Sequence, residues 1–181
     1  MTMQPADADS QRYDVITIIL HWLVAGMVAA LWIGAETLDG FPPGPLRADA
    51  RSLHILLGLL LGGIGAIRLV WRLSFGIPLP PSDGGALGFA AKIVHHGLYA
   101  LLAAMVFVGM LLLWATGDSV FNHFSMPTND PANAALMGQL QTVHAVIGWI
   151  ILAVVGLHIV GVLLHRYVWH DGVLGRMLLR W

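Results

Sequence analysis

Residues 141–168 read QTVHAVIGWIILAVVGLHIVGVLLHRYV. The stretch is longer than the roughly 20 apolar residues a helix needs to cross a ~30 Å hydrocarbon core. From residue 141 to residue 164 the ionisable side chains are two histidines, His144 and His158; His165, Arg166 and Tyr167 follow at its end. The fourteen-residue step between them is a drop of ~21 Å at about 1.5 Å per residue, and just under four turns at about 3.6 residues per turn. Both rings therefore leave the helix on one face. A single membrane helix offers an imidazole nitrogen at each of two depths.

Working outward, three more apolar stretches of the same kind precede it, at about 15–37, 52–72 and 90–115. Breakers separate them. Residues 40–45 read GFPPGP, residues 78–85 read PLPPSDGG, and the stretch 116–133 contains Pro127 and Pro131; such clusters mark loops. The composition agrees with a bilayer solvent. Hydrophobic residues make up 57% of the 181, charged residues 10%, and mean hydropathy is +0.77, whereas soluble domains carry about 25% charged residues. The expectation is an all-α fold, an integral membrane four-helix bundle forming one membrane domain over 1–181. The first span is too long for a signal-peptide core. Its leading segment sets Asp7, Asp9 and Asp14 against Arg12 alone, so it reads as a retained anchor.

The net charge of −1 leaves no basic face for nucleic acid. The absence of cysteine excludes disulfides, thiolate metal sites and covalent haem attachment through C-x-x-C-H. Basic residues divide unevenly between the two ends of the spans. Arg12, Arg68, Arg72, Lys92, Arg166, Arg176 and Arg180 fall on one side; Arg47 and Arg51, with Glu36, Asp39, Asp49, Asp118 and Asp130, fall on the other. The positive-inside rule then places both termini in the cytoplasm.

With that orientation the histidines sort by depth. His54 lies near the outer end of the second span and matches His144. His21 lies about two turns into the first span and matches His158. Each pair comes from two different helices, as axial ligation of a flat macrocycle requires, and neutral imidazole suits iron. Gly58 and Gly62 follow His54 at four and eight residues, and Gly148 follows His144 at four. Small residues on the ligand's own face are expected to leave room for a ring, although glycines in membrane helices also serve close packing. A proton relay or a histidine-lined ion path is the competing reading. Transporters of either kind usually add intramembrane carboxylates, and the four spans hold almost none.

His95 and His96 open the third span and His165 closes the fourth, all on the cytoplasmic side. A lipid-soluble quinone could take a hydrogen bond and a proton there, or these rings are simply solvated. His123 and His170 fall in aqueous segments, and neither they nor His96 and Arg47 have an assigned role. Trp32, Trp71, Trp114 and Trp169 sit near span ends, as an aromatic belt does.

The runs IILHWL around His21, SLHILLG around His54 and HAVIGW at His144 resemble the bacterial cytochrome b561 family. So do GLHIVGVLLHRY at His158 and His165 and the closing DGVLGRML. The resemblance covers about residues 13–179. It implies a four-helix membrane protein with two haem b groups, with ligands carried over onto His21, His54, His144 and His158. It further implies electron transfer. Close relatives act as superoxide oxidases, passing electrons from periplasmic superoxide through the outer and inner haems to ubiquinone, and His95 and His165 are similar in position to family histidines near the quinone end. Other relatives are electron-transfer subunits serving a dehydrogenase or hydrogenase partner. For the superoxide reading, Arg51, three residues before His54, is expected to draw the anion in, or to pair with a haem propionate. The partners expected are membrane lipid, ubiquinone and superoxide, with a redox partner protein as the alternative.

Overall fold

Asp14 starts the first helix. Its carboxylate accepts from the Thr17 backbone N–H at 2.8 Å and the Thr17 hydroxyl at 2.7 Å, satisfying donors that a helix start leaves unpaired. The helix, α1, then runs Val15–Leu38. The same carboxylate accepts from the Trp71 indole at 2.9 Å and the Ile77 N–H at 3.3 Å. It thus fastens α1 to the end of α2 (Pro45–Ser74) and to the loop beyond. Burial pushes the Asp14 carboxyl up, but the hydrogen bonds from Thr17, Trp71 and Ile77 outweigh it and bring it from 3.8 down to about 2.

Pro45 opens α2, where its fixed φ and missing N–H cost nothing. Helix α3 (Gly85–Thr116) stops at Gly117, whose left-handed φ of 64° lets its N–H close on Leu113 O at 3.0 Å. Helix α4 (Ala134–Tyr167) is capped by Asn133, which accepts from Leu136 N at 3.0 Å. In this computed structural model residues 12–125 and 133–179 are described. Asp7, Asp9, Asp130 and Arg180, used above in the leader and charge readings, lie outside them. Each of the four helices is long and apolar enough to span a bilayer, and the protein is an all-α integral membrane four-helix bundle.

The later helices begin earlier than the apolar pattern suggests: at Pro45, Gly85 and Ala134, not at 52, 90 and 141. Apolarity marks where a helix touches lipid, whereas its backbone hydrogen bonds are internal and continue into the polar zone. Arg47, Asp49 and Arg51 accordingly ride on the opening turns of α2. The loop expected over 116–133 also contains a small antiparallel pair, β1 (Ser119–Val120) with β2 (Phe124–Ser125), in register Ser119↔Ser125.

Close packing runs α1 on α2, α2 on α3 and α3 on α4. Among the described residues, α1 and α4 meet through side chains, as in Trp32 against Trp149 at 5.8 Å between ring centres. Few apolar side chains are buried within the protein; Ile18, Val24, Leu61, Leu113 and Ile151 are the main ones. Most of the rest face lipid, so contact geometry rather than water exclusion holds the helices together. Gly62 shows the closeness of fit: a Cβ there would stand 2.8 Å from Val106 Cγ1 on α3. At Gly148 it would stand 3.3 Å from Met105 Cε, also on α3. These two glycines therefore serve helix packing and do not leave room for a ring as expected. Gly58 differs, because a Cβ there would meet nothing within 4 Å.

At the end where α1 begins and α4 finishes, the segment after α4 folds back through a 3-10 turn, Leu174–Met177. Arg176 donates to Pro80 O at 2.8 Å, its own carbonyl accepts from Tyr13 N at 3.2 Å, and Met177 O accepts from the Trp22 indole at 2.7 Å. At the distal end Ser52, 4% exposed, accepts from Phe121 N at 3.1 Å and donates to Ser119 O at 3.4 Å. One hydroxyl thus seats the β1–β2 hairpin on α2.

Candidate functional site

Two pairs of imidazoles face each other across the bundle. In the distal pair, His54 projects from α2, nine residues past its start, and His144 from α4, ten past its start. Their ring centres are 6.3 Å apart with planes at 71°. In the inner pair, His21 projects from α1 and His158 from α4, again 6.3 Å apart, with planes at 65°. The shared separation is informative. Were one nitrogen of each ring turned toward the other, roughly 1.1 Å of that distance would be lost on each side, leaving about 4 Å, or two metal–imidazole bonds of roughly 2 Å.

Nδ1 of His54 and Nδ1 of His144 are both buried with no hydrogen-bond partner. Buried polar atoms are rarely left so; Nδ1 of His144 is turned toward α3, 3.7 Å from where a Cβ on Gly109 would stand, which leaves Nε2 as that ring's nitrogen for a bound group. Together with the open flank at Gly58, these observations fit a flat macrocycle held between two histidines. Gly109 on α3 backs this pair, since a Cβ at 109 would come within 3.3 Å of His144 Cε1.

The inner pair carries a further shell. Arg68 of α2 donates to His21 Nδ1 at 3.1 Å and lies 5.0 Å over the Tyr99 ring. Arginine only donates, so Nδ1 of His21 is the acceptor in this contact, and a neutral ring then carries its proton on Nε2, the nitrogen that would have to lose it to hold a metal. His95 of α3 stands 5.2 Å from His158, ring centre to ring centre. The expectation that His95 opens the third helix at the interface is thereby corrected. Because α3 starts at Gly85, His95 is roughly 15 Å along it, level with His158.

His165, in the last turn of α4, does not share that location. It lies seven residues beyond His158, roughly 10 Å further along the helix, and both its nitrogens are engaged. Nδ1 meets Asp171 Oδ2 at 2.6 Å and Nε2 meets Asp83 Oδ2 at 3.1 Å. Its ring also stands 4.6 Å from Trp169. Burial pushes the Asp171 carboxyl up, but hydrogen bonds from His165 and the Val173 N–H outweigh this and leave it below the usual carboxylate range.

Arg51 pairs with Asp118 at 2.6 Å, and Arg47 pairs with Asp39 at 2.7 Å, so neither guanidinium offers an uncompensated charge. His96 engages Lys92 O on its own helix at 2.7 Å, His170 engages Val168 O, and His123 is exposed at the hairpin. Sequence reasoning passed over Arg68, Tyr99, Asp83, Asp171 and Gly109. For Arg68 a signal was present: an ionisable residue inside a membrane span is a functional candidate by default, but it was counted among the flanking charges. The others lie in contacts between distant segments, which leave no local pattern.

The family described as prokaryotic cytochrome b561 matches residues 12–180. The chain is 32% identical over 177 residues to cytochrome b561 homolog 2 of Escherichia coli, covering 93% of this chain and 92% of that one. It is 28% identical over 170 residues to a probable superoxide oxidase of Yersinia pestis, covering 93% and 96%. It is 27% identical over 187 residues to a cytochrome b562 of Cereibacter sphaeroides, covering 98% of each.

Proposed function

The chain belongs to the prokaryotic cytochrome b561 family, and from that premise we propose that it is a superoxide:ubiquinone oxidoreductase holding two haem b groups, one at each histidine pair. As a member of the family it is a membrane cytochrome b, an oxidoreductase that binds haem b and transfers electrons. The finer reading is ours, and the observation that carries it is the recurrence of a 6.3 Å imidazole pair at two levels. His54 and His144 hold the distal haem; His21 and His158 hold the inner one. Haem iron supplies one-electron chemistry at each level, tuned by its ligands and the polarity around them.

The chain's own residues do the remaining work. Arg68 and Tyr99 fix His21, while Gly109 and the packed face of α3 fix His144. The Ser52-seated hairpin closes the distal end beside Arg51, whose guanidinium, shared with Asp118, attracts superoxide toward His54 only at short range. Both termini lie in the cytoplasm of a bacterial cell, so the distal pair faces the periplasm, and His95 and His165 line the side where ubiquinone accepts electrons. The name of the Yersinia pestis relative supports the choice of substrate.

A second reading is favoured by a specific observation. With Arg51 and Arg47 both neutralised by aspartates, the distal face invites a small anion weakly, which suits an electron-transfer subunit served by a partner dehydrogenase or hydrogenase. Stopped-flow mixing of the purified, haem-loaded chain with superoxide separates the two. Rapid haem reduction, followed by reoxidation when ubiquinone is added, is the expected result. Slow or absent reduction with haem intact would reject the oxidase and leave the subunit.

A further inference from the structure

His165 is held by a carboxylate on each nitrogen, and the two carboxylates differ in distance, exposure and origin. Asp171, from the segment just after α4, meets Nδ1 at 2.6 Å and is 37% exposed. Its other oxygen accepts from Val173 N at 3.1 Å, and its own N–H donates to His165 O at 3.1 Å, so its placement is fixed from both sides. Asp83, from the loop between α2 and α3, meets Nε2 at a looser 3.1 Å and is 21% exposed, while the ring itself is 13% exposed. The imidazole therefore bridges from water at Asp171 to a sheltered second nitrogen. The ring also stands beside Trp169, and beyond Asp171 lies the Arg176 guanidinium held on Pro80 O.

We propose that Asp171 and His165 form a proton-donating dyad for the quinone, with Asp83 occupying His165 Nε2 until a quinone carbonyl displaces it. The proposal rests on the reading of this end of the bundle as the quinone end. The logic is that of a carboxylate orienting an imidazole: Asp171 fixes which nitrogen carries the proton and stabilises the charged ring, and Nε2 is the nitrogen that donates. The overall reaction requires such a donor. Two superoxide anions yield two O2 and two electrons, and one quinone takes those two electrons with two protons to become quinol. One of the two protons leaves from His165 Nε2 to the quinone oxygen that displaces Asp83, and the ring regains it from water; the other proton reaches the far quinone oxygen from water. Asp83, tethered to a loop rather than a helix, is the contact that can open.

The test uses the haem-loaded full chain and decylubiquinone, with tryptophan fluorescence for binding and single-turnover haem reoxidation between pH 5.5 and 9 for transfer. Asp171→Asn preserves size but places an amide N–H against Nδ1, reversing the tautomer. Reoxidation should slow at least about tenfold near neutral pH, with quinone binding, haem spectrum and melting temperature unchanged. Asp171→Glu should restore part of the rate. Asp83→Ala should tighten quinone binding severalfold. If wild type neither binds decylubiquinone nor is reoxidised by it, the quinone reading itself falls, and the dyad with it. If wild type does both and Asp171→Asn keeps the wild-type rate and pH profile, the quinone reading stands and the dyad is overturned. Weaker binding in Asp83→Ala would overturn the displaceable contact.

Discussion

Arg68 directs a permanent positive charge at an imidazole and a tyrosine face inside a membrane helix, and residues 21 and 68 are too far apart in the chain for the sequence to show it. The histidine depths were legible because helical rise is fixed, so spacing along one helix converts directly into distance. Contacts between side chains on different helices carry no such ruler. The ligand assignment is tested by removing one imidazole at a time. His54→Ala and His21→Ala should each bring the purified protein down to about half its haem content, with the other level's spectrum retained; full haem in either variant would remove that residue from the ligand set. Asp14 supports a second prediction. Its carboxyl titrates lower in the folded chain, at about 2 rather than 3.8, so the unfolded chain binds the proton more readily. Its stabilising contribution is complete above about pH 4 and fades as pH falls toward 2. Replacing the cap with alanine should destabilise α1 by about 1 kcal/mol near neutral pH. Thermal melts in detergent should show Asp14→Ala converging on wild type as pH drops from 5 to 2, and a gap that widens in acid would contradict the assignment.

Helices are set by two separate conditions, and only one is written in hydropathy. Four apolar stretches announced four helices. Their first turns were hidden because the residues there, Arg47 and Asp49 among them, are chosen for water and headgroups while the backbone is already helical. Glycine was ambiguous for a related reason: a missing side chain admits either a cofactor or a neighbouring helix, and sequence does not distinguish them. Gly62 belongs to the α2–α3 contact, and a methyl there would press on Val106, a β-branched side chain with little freedom to turn. Gly62→Ala should therefore destabilise by about 1–3 kcal/mol through overpacking, and adding Val106→Ala should recover much of the loss. Gly58→Ala, with open space around it, should leave the melting temperature of the haem-free chain nearly unchanged. Thermal melts of the four proteins decide this, and equal losses at positions 58 and 62 would show that neither glycine is explained by packing on α3.

The molecule as a whole is asymmetric in charge, and that asymmetry bears on the proposed superoxide substrate. Among the described residues the distal end sets Glu36, Asp39, Asp49 and Asp118 against Arg47 and Arg51, a net −2, with both arginines already paired. A superoxide anion approaching this face meets repulsion at long range, even if Arg51 attracts it at short range. Added salt screens exposed charges beyond a Debye length of about 10 Å at 0.1 M, so it should raise the bimolecular rate, by about two- to fivefold between 0.01 and 0.2 M in a non-ionic detergent. Two substitutions turn this into a signed test. Asp118→Asn removes one repelling charge and frees Arg51, so it should speed the reaction at low salt and flatten the salt dependence. Arg51→Ala takes the face to a net −3, so it should slow the reaction at low salt and steepen the dependence. A wild-type rate that falls with salt would mean that a local positive path outweighs the net field; no salt dependence in any of the three proteins would mean that superoxide does not reach the distal pair through this face at all.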